Sequence, residues 1–137
     1  MKRRSYIGGL LFVLTLLSGA ALAARTFPLT SSQAVPGAAG KVEVKKDKNG
    51  NNEVTIKAEH LAQPGMLTPP ASTYVVWFQE RDGEPMNQGN IKVGKSLKCE
   101  FKATTHFANF DVTVTAEGDP MTKSPSGQVV LSAKVQQ

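Results

Sequence analysis

One cysteine in 137 residues forbids an intramolecular disulfide, so stability has to come from packing alone. Two histidines, His60 and His106, leave little material for a Ser-His-Asp triad. Ser126-Gly127 lacks the flanking glycine pattern of a nucleophile elbow. Excess charge is scarce as well. Lys2, Arg3 and Arg4 are three of the 16 basic residues, and the remaining 13 face 11 acidic ones. A balance that small excludes nucleic-acid binding by charge alone. No segment repeats the apolar spacing of an amphipathic helix. After residue 23 no apolar run is long enough to suggest a membrane span.

The first 23 residues do have such a run. Lys2-Arg3-Arg4 precede an apolar stretch from Ile7 to Leu17, and Ala21-Leu22-Ala23 closes it. Basic end, short apolar core and small residues at a cleavage point are the parts of a secretory signal peptide. The reading predicts a signal helix over 1–23, cleavage before Ala24, and a chain that folds outside the cytoplasm, periplasmic or secreted. The alternative is an uncleaved anchor. Tyr6–Ala23 offers 18 residues for it, interrupted by Gly8, Gly9, Ser18 and Gly19, where a span wants about 20. No cysteine follows the run, which argues against a lipid-modified N-terminus.

The remaining residues suit one domain that buries roughly two thirds of its unfolded surface. Ala24–Gly40 is rich in Ser, Ala, Gly, Thr and Pro and reads as a flexible leader. From Lys41 the pattern alternates. Val42 and Val44 oppose Lys41, Glu43 and Lys45, and Val54, Ile56 and Ala58 oppose Glu53, Thr55 and Lys57. The turn residues Asp47–Asn52 between them predict a β-hairpin. Pro64-Gly65 and Pro69-Pro70 make His60–Ser72 a crossing loop. Thr73–Gln79, apolar on both faces, predicts a central strand carrying Trp77 into the space between two sheets. Shorter runs follow. Ile91 and Val93 point inward, as do Leu97, Cys99, Phe101 and Ala103. The same holds for Phe110, Val112, Val114 and Ala116, and for Val129, Leu131 and Ala133. About seven strands and no helix after the signal predict an all-β, immunoglobulin-like antiparallel sandwich over 41–135.

Chemical sites are weighed against plainer readings. His60, Cys99, His106 and Met121 come in the order of a blue-copper set, which needs two His, a Cys thiolate and an axial Met. The spacing is too wide, and Cys99 sits inside a strand, where a buried thiol is the simpler account. Asp47, Asn49 and Asn51 alternate like the start of a calcium loop, but Gly50 comes too early and no Glu closes it. Asp82 and Glu84 lie on a turn, where solvation is commoner than acid/base pairing. No catalytic, cofactor-binding or metal residue is assigned, and no cofactor is expected.

Three pieces carry a family resemblance. They are Tyr74-Val75-Val76-Trp77-Phe78, the strand Phe110–Glu117, and Pro125-Ser126-Gly127-Gln128-Val129-Val130-Leu131-Ser132-Ala133. With Gly83-Glu84-Pro85 and Gly89 between them, the order and spacing resemble the extracytoplasmic C-terminal domain of anti-sigma-K factors, over roughly Tyr74 to Ala133. The resemblance implies a sandwich with a sensory or protein-interaction role. Only Met1–Tyr6 precede the apolar run, so no sigma-binding domain is expected there. The expected function is therefore a non-catalytic envelope module that binds a protein or envelope component through the turns Arg81–Pro85 and Gly118–Ser126. It meets no nucleic acid, and touches a membrane only through an uncleaved signal segment. The alternative is a small exported metal-binding or redox protein using Cys99, His60 and His106.

Overall fold

The computed structural model describes residues 24–137. The expected signal helix over 1–23 lies outside the described residues. Eight antiparallel strands form the fold: β1 Arg25–Ser31, β2 Ala39–Lys46, β3 Asn52–Glu59, β4 Thr73–Glu80, β5 Met86–Ile91, β6 Cys99–Thr105, β7 Phe110–Glu117 and β8 Val129–Val135. A single 3-10 turn, Pro64–Met66, interrupts the loop after β3. The strands make one continuous sheet in the order β5-β4-β7-β8-β1-β2-β3-β6. It curls until its two edges, β5 and β6, come near each other without pairing, so the shape is a nearly closed barrel. No helix among the described residues is long and apolar enough to cross a membrane.

The expected hairpin forms as β2 and β3, with Val42 opposite Ile56 and Val44 opposite Val54. All four side chains are buried, because the alternation puts them on the concave face. Asp47 organises the turn: its Oδ1 accepts from the amides of Asn49 at 2.8 Å and Asn51 at 2.9 Å. Gly50 takes a positive φ of 79° there. The carboxylate is thus used in closing the hairpin. β4 is an interior strand, second from the β5 edge, and pairs with both β5 and β7. Tyr74, Val76 and Phe78 enter the main core with Val112, Val114 and Leu131. The Tyr74 hydroxyl donates to the Ala62 carbonyl at 2.6 Å and ties the crossing loop to this core. Burial pushes its pKa up to about 12.

Four expectations are corrected. The leader Ala24–Gly40 contains β1, which makes the eighth strand. Its own side chains hide it: only Leu29 is buried and Pro28 interrupts the pattern. Backbone pairing holds it instead, Arg25–Leu29 against β2 and Thr30-Ser31 against β8. Leu97 is not an inward strand residue but a turn residue with φ 60°, 37% exposed. The Leu97 amide donates to Gly94 and the Gly94 amide to Lys98, so the turn runs longer and β6 starts only at Cys99. Val129 is 45% exposed, because a bulge opposite Val114/Thr115 moves Val130 into the core in its place. Trp77, finally, is 1% exposed but sits outside the main core. It projects from the opposite face of β4 to Tyr74, Val76 and Phe78, as a two-residue period requires.

Candidate functional site: a latched loop over the outer face

A flat outer face of β4 and β7 would leave Val75, Trp77, Thr115 and Glu117 in water. All four are buried, Glu117 to 2% exposure. The loop between β7 and β8 is fastened across this face at both sides. On the β7 side, the Glu117 carboxylate accepts from the Ser126 amide at 2.9 Å and the Ser126 hydroxyl at 2.7 Å. The Gly127 amide adds bonds of 3.1 and 3.2 Å to the two oxygens. On the β5 side, the Asn87 amide group donates to the carbonyls of Pro120 at 3.0 Å and Thr122 at 2.8 Å. β4 lies between these two strands, so the loop spans Trp77.

The indole joins the same network. Trp77 Nε1 donates to Thr115 Oγ1 at 2.8 Å, and that hydroxyl donates to Glu117 Oε1 at 2.8 Å. Among the described residues no basic side chain pairs with Glu117. Burial opposes its charge, but the donors from Ser126, Gly127 and Thr115 together outweigh that and hold its pKa below the ordinary carboxylate value. Gly127 is required by contact. A Cβ there would overlap the carbonyl of Ala116. The loop is also braced within itself, Met121 amide to Asp119 Oδ1 at 2.9 Å and Thr122 hydroxyl to the Ser124 carbonyl at 3.0 Å. Its crown remains in solvent, with Met121 79% exposed.

The second expected contact segment, Arg81–Pro85, lies elsewhere. Glu80 pairs with Phe110 and Thr73 with Glu117, so the two loops leave opposite ends of the β4–β7 ladder, about 23 Å apart. The Arg81 turn borders an open groove of about 900 Å³ with Asn109, Asp111 and Lys134. Its charged lining is mixed, Glu80, Asp82 and Asp111 with Arg81 and Lys134. Asp82 and Glu84 are exposed on the turn.

The copper-like set is not gathered. His60 follows β3 beside the start of β6, whereas His106 follows the end of β6. Six residue steps along the strand, about 20 Å, separate Cys99 from Thr105. Both histidines are exposed. Cys99 is buried opposite Ala58, and burial pushes its thiol up in pKa. No group of three or more His, Cys, Asp or Glu among the described residues is placed to hold a metal ion.

Alternation along β7 puts Thr115 and Glu117 on the face opposite Val112 and Val114, and neither stands out in the sequence as a functional residue. The available signal was a Thr-x-Glu pair on the same strand face as the only tryptophan's neighbours, followed by a Ser-Gly pair near the next strand. No family model, no curated protein and no solved structure matches this chain.

Proposed function

We propose that this protein is a non-catalytic, exported binding module, periplasmic or secreted, that holds a protein or envelope component at the crown of the Gly118–Ser126 loop. The single observation behind this reading is that the loop is fastened on both flanks while its crown stays exposed. A rigid scaffold that presents an ordered loop loses little conformational entropy when a partner docks. The Arg81–Pro85 turn is then a second, separate contact. The reading takes the curled sheet as an immunoglobulin-like sandwich. It keeps the likeness to the outer domain of anti-sigma-K factors as a functional analogy, a sensory or interaction element.

The test replaces Pro120–Ser124 by glycine and serine and keeps Glu117, Ser126 and Gly127. The exchanged protein is expected to unfold at nearly the same temperature as the original. It is expected to lose a specific partner that the original retains from an envelope extract. Equal retention by both proteins overturns the assignment. Mass spectrometry of the exported chain is expected to find Ala24 as its first residue, and a retained Met1 overturns the cleavage.

A further inference from the structure

The edge of β6 offers a second interaction surface. β6 pairs with β3 through all of Cys99–Thr105, and among the described residues its other edge has no ladder. The two sheet edges differ. β5 has a register shift beside Gly89, whose φ is 127°, and such irregularity blunts an edge. β6 runs seven residues without proline, glycine or bulge. Its concave side contributes Phe101, half-buried, with the ring over Gly89 of β5. Its convex side carries Lys98, Glu100 and Lys102, all exposed.

We propose that a second copy of this chain adds to β6 in antiparallel register about a two-fold axis at Phe101. Opposed residues must share a face, so only a few registers are available. An axis at Phe101 sets Glu100 opposite the partner's Lys102 and Lys102 opposite the partner's Glu100. It sets Lys98 opposite Thr104 and lets Cys99–Ala103 pair throughout. An axis at Glu100 opposes Glu100 to itself and Lys98 to Lys102. An axis at Lys102 uses the whole strand but opposes Lys102 to itself. An axis at Cys99 draws Leu97 into the ladder, where its φ of 60° is not extended. Lys98 moreover already has Glu59 of β3 at 3.7 Å, whereas the 3.7 Å pair of Glu100 and Lys102 meets the same pair of the second copy across this axis. Charge and backbone together select the Phe101 register, which joins the two copies through a continuous β3-β6-β6-β3 sheet. This goes beyond the loop-binding role and stands without it.

Sedimentation of protein purified from the cells that make it, from micromolar to millimolar concentration, tests the proposal. The original is expected to dimerise reversibly. Glu100→Lys and Lys102→Glu each turn two attractive contacts into two repulsive ones and are expected to weaken dimerisation about tenfold or more. An equimolar mixture of these two variants is expected to recover it as a heterodimer. Lys98→Glu is expected to leave dimerisation near the original value. All three positions are exposed, and unchanged circular dichroism verifies folding. A monomer across the whole range, single variants that dimerise like the original, or a mixture that stays monomeric overturns the proposal. Loss with Lys98→Glu in place of Lys102→Glu overturns the register.

Discussion

Glu117 is the residue on which the outer face depends. It keeps a negative charge out of water using neutral donors only. Glu117→Gln puts an amide donor where the Ser126 and Gly127 donors converge. We expect a loss of about 1–3 kcal/mol in urea unfolding. Trp77 fluorescence should shift to the red as the loop loosens. The pH dependence has a definite sign. The native pKa lies below the usual 4.5, so the stabilisation is complete above the unfolded value. It is lost as pH falls through the lower native one. Unfolding midpoints of the original and Glu117→Gln should therefore converge as the pH falls through that lowered native pKa. Tyr74 behaves oppositely. Its pKa is raised from 10.0 to about 12, so its contribution is present below pH 10 and is lost as pH rises through 12. Absorbance at 295 nm should show this phenol titrating near 12. Gly127→Ala should cost about 1–3 kcal/mol in thermal or urea unfolding, because the methyl group has to displace the Ala116 carbonyl.

Among the elements, β1 joins the two halves of the sheet. It contributes one buried side chain, yet five of its residues pair with β2 and two with β8. Gly40 in β2 shows how close that packing is, since a Cβ there would overlap the Lys57 carbonyl and touch Leu29. Removing residues 24–31 would open the edges of both β2 and β8. The shortened protein should aggregate or lose its cooperative thermal transition, whereas a leader of no structural importance would leave that transition unchanged. Alternation made β2, most of β3 and the first half of β7 readable, because Val42, Ile56 and Val112 each face the core while Glu43, Lys57 and Asp111 face away from it. It failed for β1, whose order comes from neighbouring backbones. It failed again at Val129, where a bulge inverts the local parity.

At the scale of the whole molecule, strands distant in sequence are neighbours in space. Thr30 pairs with Ser132, closing nearly the full described length in one ladder. Pairings of that span form slowly, because chain entropy has to be lost before they form. Refolding followed by Trp77 fluorescence should take milliseconds to seconds, and a microsecond phase carrying the full amplitude would contradict the topology. The convex face of β2, β3 and β6 carries alternating charges. Glu43 shows their effect: a hydrogen bond from Lys41 at 3.0 Å, with Lys57 at 3.7 Å, holds its carboxyl below the ordinary value.

Side-chain alternation by itself determined that the described residues are all-β, which residues of the hairpin enter the core, and that Asp47–Asn52 turns the chain. Those outcomes depend on neighbours a few residues away, and such neighbours can be read along a line. Only tertiary structure decided that Trp77 faces outward under a loop, that Glu117 is buried, and that β1 is a strand. Each depends on a partner contributed from elsewhere: Ser126 and Gly127 for the carboxylate, Pro120 and Thr122 for Asn87, β8 for β1. A period of two states which face a side chain takes, but not whether another segment covers that face.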